Sequence, residues 1–327
     1  MLVKRRDLLR GIAGSVLFRG RSLAQGWMPP DPAQELRVPV RGGSIYVRVN
    51  GDLKSTHTPV IFINGGPGAS HEYYLPSLIL ADQRAVILYD QLDTGLSDRM
   101  NDPFNWTVER FVSEVDAIRA ALGLRHFHLV GHSWGSTVAL EYAAREPAGL
   151  DSVVLGSPLI STRSWQKSTS ADLARLPPEV VRTITDNEAA GTTDTRAYTD
   201  AMEIFYNRYL ILKPVPPYVA AYGQRHHLQT NEALYKGMWG PGEIHSFGTL
   251  KTYNGETLLA RINVPTLFLC GEDDEITADV LAPLVARVRG AKLAVIPGAG
   301  HLLIATHAEA YTRLLRDFLV RHDPHGT

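Results

Sequence analysis

The chain has 327 residues, of which 44% are hydrophobic and 20% charged, and carries no apolar run long enough to span a bilayer. Its formal charge of −1 conceals a basic N-terminus: without the first 24 residues, 27 basic residues face 33 acidic ones. An acidic body lacks the electrostatic footprint for phosphate backbones, which excludes a nucleic-acid partner and disfavours acidic membrane surfaces.

The first 24 residues hold Lys4, Arg5, Arg6, Arg10, Arg19 and Arg21. Arg5-Arg6 ahead of Asp7-Leu8-Leu9, a modestly apolar stretch from Gly11 to Phe18 and small residues at Ser22 and Ala24 resemble a twin-arginine export signal. Residues 1–24 are therefore expected to direct the protein to the periplasm, the alternative being a basic arm on a cytoplasmic enzyme. "LRVPV" and "SIYVRV" around Arg41-Gly42-Gly43 predict an opening β-hairpin. Strand-sized apolar runs follow at 59–64, 85–90, 126–130, 151–156, 266–270 and 292–297. Thr107 to Leu122 has helical period, with Phe111, Val115, Ile118 and Leu122 on one face, Thr107 as N-cap and Gly123 as stop. Alternating strands and helices predict an α/β fold with a mostly parallel sheet covered on both faces. The single cysteine, Cys270, lies in the apolar run "TLFLC" and reads as a buried, inert thiol.

The alternation breaks between residues 161 and 260, a span too long for a loop and rich in helical spacing and proline pairs. It predicts a helical cap inserted into a core made of residues 36–160 and 261–322, over the C-terminal edge of the sheet, where such sheets place ligands.

"LVGHSWGSTVALEY" sets Ser133 in the frame Gly131-His132-Ser133-Trp134-Gly135, after a predicted strand and before a predicted helix. That context reads as a nucleophile elbow, in which a strained turn lifts the serine above the sheet. A serine hydroxyl needs an imidazole to take its proton and a carboxylate to orient the imidazole, and in this fold they follow in the order serine, acid, histidine. His301, in the glycine-rich loop "PGAGH" after the last strand, is better placed than His307, His322 or His325. Glu272, Asp273, Asp274 and Glu275 all follow the penultimate strand, and spacing alone does not choose among them. Two backbone donors for an oxyanion are expected from Trp134 and from the loop "NGGPG" after the third strand.

"NGGPG", "DQLDTGLS", "GHSWGS" and "GEDDEIT" together resemble the proline iminopeptidase family of α/β-hydrolases over most of the chain after Leu36. The resemblance implies an α/β-hydrolase fold with Ser133 as nucleophile, Asp274 as acid, His301 as base, and the amides of Gly66 and Trp134 as oxyanion donors. It also implies that Glu243, closing "MWGPGE" in the cap, and Glu275 bind the free amino terminus of a short peptide or amino-acid amide. Two converging carboxylates repel each other, and an ammonium between them turns that cost into recognition. The activity so implied is release of N-terminal residues, proline foremost, through an acyl-enzyme; a carboxylesterase or amino-acid amidase of the same fold, and a ligand receptor without turnover, are the alternatives. Asn64 and Asp93 depart from the family's histidine and glycine. Such hydrolysis requires no metal or cofactor, and His226, His227 and His245 lack the regularly spaced carboxylate or thiol partners of a metal site.

Overall fold

A computed structural model describes residues 27–324; the proposed export signal lies outside them, as does His325. Eight strands form one sheet: β1 (Gln34–Val40), β2 (Gly43–Asn50), β3 (Val60–Ile63), β4 (Val86–Asp90), β5 (Phe127–His132), β6 (Leu150–Gly156), β7 (Thr266–Gly271) and β8 (Lys292–Ile296). Their spatial order is β1-β2-β4-β3-β5-β6-β7-β8. β1 with β2 and β2 with β4 are antiparallel, and every pair from β4 through β3 to β8 is parallel.

The inner strands are continuous apolar runs because both faces are covered and alternate residues point to opposite sides. Ile61, Ile87, Leu129, Val153 and Phe268 join one core with Phe111, Val115 and Ile118 of α1 (Val108–Leu122) and Val138 of α2 (Trp134–Ala143). Phe62, Leu88, Val130, Val154 and Leu269 join a second core with Tyr74 and Leu78 of the 3-10 turn His71–Asp82 and with residues from the chain's last helix. The predicted helix α1 starts where the sequence placed it: the Thr107 side chain accepts from the Arg110 amide, and Gly123 takes a left-handed φ of 62° at its end. Cys270 is fully buried in β7, where burial pushes its thiol pKa up.

Between β6 and β7 the chain is helical: α3 (Thr162–Leu173), α4 (Pro178–Ala190), α5 (Arg196–Phe205) with a π-turn at Tyr206–Leu210, α6 (Pro217–Arg225) and α7 (Glu232–Met238), then short 3-10 turns. Leu173, Ile184, Met202, Phe205 and Ile244 give this segment its own small core. It is tied to loops at the C-terminal edge of the sheet. The Asn231 amide donates to the Gly68 carbonyl (2.9 Å), the Asn231 side chain to the Asp93 carbonyl (2.8 Å), and the amides of His301 and Leu302 to the carbonyls of Tyr209 and Leu210 (2.7 and 2.9 Å). After β7 come α8 (Ala278–Val285), α9 (Leu303–Thr306) and α10 (Ala308–Arg321), the last placing Tyr311, Leu315 and Leu319 in the second core. Among the described residues no helix is long and apolar enough to cross a membrane.

Candidate active site

Ser133 stands between β5 and α2 with φ 55° and ψ −124°, a backbone state that L-residues rarely adopt. The flanking glycines are explained by packing. A methyl group on Gly131 would collide with the Gly135 carbonyl, and one on Gly135 with the Ile63 carbonyl, so the turn closes against itself and against β3 only without side chains. The Ser133 amide donates to the Gly156 carbonyl at 2.9 Å, anchoring the strained residue to β6.

The loop after β3 lies against this serine: a Cβ on Gly65 would sit 3.0 Å from that of Ser133. Gly66 takes φ 105°, which favours glycine. The Gly65 amide donates to the Tyr73 hydroxyl (2.5 Å), and the Asn64 side chain donates across the loop to the Ala69 carbonyl. The amides of Gly66 and Trp134 donate no hydrogen bond among the described residues. They are backbone donors left available beside the serine.

His301 and Asp274 meet as the sequence reading expected of the pair, with His301 Nδ1 2.8 Å from Asp274 Oδ1. Asp274 is unexposed, and burial alone would raise its pKa. The His301 ring, the Gly271 amide (2.9 Å) and the Ser157 hydroxyl (2.6 Å) instead hold it below the ordinary carboxylate range. Of the four acidic residues, Glu272 accepts from the Gly298 amide in an exposed loop and Asp273 faces Arg208 at 3.6 Å, so neither is the imidazole's near partner. The His132 ring, next to Ser133 in the chain, lies 4.7 Å from the His301 ring and donates through Nε2 to the His301 carbonyl at 3.0 Å. Burial and the nearby His301 push His132 down to about 3, so it stays neutral and serves as a strut between the two loops. Trp165 packs edge-on to His301 with ring centroids 5.3 Å apart.

Glu275 is unexposed and neither carboxyl oxygen has a hydrogen-bond partner. Burial, then repulsion from Glu243, Asp274 and Asp172, raises its pKa well above the ordinary value. Glu243 is raised as well, by burial, and the phenols of Tyr206 and Tyr235 beside it are pushed up by burial and by its charge. The helical segment thus brings Glu243 to Glu275, whose Oε2 lies 3.7 Å from His301 Nδ1. The Glu275 carboxyl, shut from solvent without a hydrogen-bond partner, and Glu243 beside it give this pocket an acidic lining.

The match to known proteins follows these landmarks. Residues 58–308 match the family described as alpha/beta hydrolase fold. A proline iminopeptidase of Heyndrickxia coagulans is 36% identical over 283 residues, 86% of this chain and 97% of that one. The chain belongs to the proline iminopeptidase family of α/β-hydrolases. Among solved structures, the proline iminopeptidase of Mycobacterium smegmatis aligns with a TM-score of 0.79 at 31% identity, covering 89% of this chain and 99% of that one. VinJ aligns at 0.83 and 33% identity, covering 89% and 100%.

Both departures from the family's pattern have local explanations. Asp93 occupies a left-handed position (φ 69°) where the family's glycine would sit without strain. Its carboxylate compensates by accepting from the amides of Met100 and Asn101 (2.6 and 2.7 Å) and from the Trp106 indole (2.8 Å). Asn64 holds its own loop closed, as described above. Ser157, Tyr73 and Trp165, all in contact with the site, went unread in the sequence because they carry no motif of their own. His226 stacks on Tyr222 and His245 pairs with Glu188 (2.7 Å). No group of three or more His, Cys, Asp or Glu among the described residues is placed to hold a metal ion.

Proposed function

We propose that this family member is a serine aminopeptidase that releases N-terminal residues, proline foremost, from short peptides. In this reading Ser133 Oγ attacks the first peptide carbonyl while His301 Nε2 takes its proton, and Asp274 holds the Nδ1–H and stabilises the imidazolium. The carbonyl electrons move to oxygen, which the amides of Gly66 and Trp134 receive. Collapse restores the carbonyl, breaks the C–N bond and returns the proton from His301 to the departing amine. Water, deprotonated by His301, then attacks the ester and frees the amino acid. No metal or cofactor takes part in these steps.

The observation that carries the substrate class is the Glu275 carboxyl, shut from solvent with both oxygens unpartnered and with Glu243 beside it. An α-ammonium is the counter-charge it lacks, whereas an acylated amine would leave it buried and unpaired, which commonly costs about 3–5 kcal/mol. The helical segment 161–260 acts as a cap that admits chain ends and turns folded proteins away. Export through the twin-arginine segment completes the proposal; replacing Arg5 and Arg6 by lysine is expected to shift the protein from periplasmic to cytoplasmic fractions.

The test is cleavage of prolyl anilide, N-acetyl-prolyl anilide and a simple aryl ester. Prolyl anilide should be preferred to its acetylated form by at least about a hundredfold in kcat/KM, matching the unpaired-charge cost, and Glu243→Gln and Glu275→Gln should each shrink that ratio. An aryl ester cleaved best, with acetylation making no difference, would make the protein an esterase.

A further inference from the structure

Behind the site, Gln91 links the backbone of the loop that carries the Gly66 amide to the side chain of Trp134, the residue that carries the second available amide. Gln91 is 1% exposed; Nε2 donates to the Asn64 carbonyl at 2.7 Å, and Oε1 accepts from the Trp134 indole N–H at 2.9 Å. The chemistry of the partners fixes this orientation. A carbonyl only accepts and an indole only donates, so the bridging group must donate at one end and accept at the other. The mount is rigid. The Gln91 carbonyl takes the amide and the hydroxyl of Thr94 (3.0 and 2.8 Å), and the next amide, Leu92, donates to the buried Glu114 carboxylate at 2.8 Å. Glu114 is held in turn by Arg110 at 2.7 Å.

We propose that Gln91 is a positioning residue for oxyanion stabilisation. It sets the separation between the loop that presents the Gly66 amide and the elbow that presents the Trp134 amide, so that both reach the same developing charge. The proposal rests on Ser133 as the nucleophile and not on the identity of the group that fills the Glu243–Glu275 pocket. Oxyanion donors act through geometry, about 2.7–3.1 Å from the charged oxygen, and losing one outright costs roughly 10²–10³ in kcat. Loosening the frame that aims two of them should cost less.

The test uses Gln91→Met, which keeps length and removes both bonds, and Gln91→Glu. For Gln91→Met the expected result is a loss of about ten- to a hundredfold in kcat with KM within about twofold, for prolyl anilide and aryl ester alike, below the loss for a missing donor. Affinity for an aryl trifluoromethyl ketone, whose serine adduct carries an oxyanion, should fall by the same factor; affinity for the corresponding alcohol, which forms no adduct, should not. A neutral carboxyl at position 91 can donate and accept as the amide does, whereas an ionised one confronts the Asn64 carbonyl with a second acceptor. Gln91→Glu should therefore work best at the acid end and lose kcat relative to wild type as pH rises. The proposal is overturned if a folded Gln91→Met keeps kcat and ketone affinity within twofold, if ketone and alcohol affinities fall together, or if Gln91→Glu tracks the wild-type pH profile. Should Gln91→Met not fold, the Gln91→Glu profile decides alone. If prolyl anilide is not a substrate at all, the aryl ester still reads the role of Gln91, which separates failure of this inference from failure of the substrate assignment.

Discussion

Asp274 shows how a single side chain's surroundings determine its use. Hydrogen bonds from His301, Ser157 and the Gly271 and Ile276 amides keep the carboxylate charged although it is out of water. Asp274→Asn should leave the fold intact and, by reversing the tautomer preference of His301, lower kcat by roughly 10⁴ with little change in KM, measured on prolyl anilide. Asp93 offers a sharper test of conformational energy. Asp93→Gly and Asp93→Ala lose the same three side-chain bonds, but only alanine keeps the left-handed strain, so the glycine variant should be more stable by about 1–2 kcal/mol in urea titration. At this scale the sequence was most legible where chemistry is narrow: a serine between glycines, a late histidine and an acidic run after a strand. It was least legible at Ser157 and Tyr73. Serines and tyrosines are common, and only tertiary contact places one on the Asp274 carboxylate and the other on the Gly65 amide.

Elements were readable to the extent that burial imposes a period. The inner strands coincide with apolar runs, because a strand covered on both faces has no polar side to break the run, whereas the largely exposed β1 was readable with β2 from the hairpin pattern around Gly42-Gly43. α1 was readable from its face, cap and stop. Removing the cap with Thr107→Ala should cost about 1 kcal/mol of stability, read as a lower urea midpoint. The 3-10 turn His71–Asp82 was not readable: it is buried on nearly all sides, so its apolar residues show no period, and Pro76 sits inside it. Proline pairs in the inserted segment marked breaks in the sequence, yet Pro178 and Pro217 open α4 and α6, where a missing N–H costs nothing. Gly135→Ala tests the elbow as an element. The added methyl meets backbone rather than a flexible side chain, so the turn must open, and loss of aryl ester hydrolysis is expected even if the protein remains folded.

Across the whole molecule, function depends on distant segments meeting at one edge of the sheet, and the sequence carries that only as the order of strands. At the opposite edge, Asp323 closes the chain onto the core, accepting from Arg84 through both nitrogens (2.8 and 3.0 Å), from His128 and His57, and from the Thr58 amide. These partners outweigh burial and hold its pKa far below normal. A depressed folded-state pKa stabilises the fold above the unfolded value of about 4 and loses that contribution as pH falls below it. Asp323→Asn should therefore lower the melting temperature at pH 7, and the gap to wild type should narrow toward pH 3. Whether Ser133 is the nucleophile and His301 its base is read out by covalent labelling with an aryl phosphonate, mapped by peptide mass spectrometry. The expected result is one adduct, on Ser133, that disappears in His301→Ala; an adduct on another residue, or undiminished labelling of Ser133 without His301, would contradict these roles.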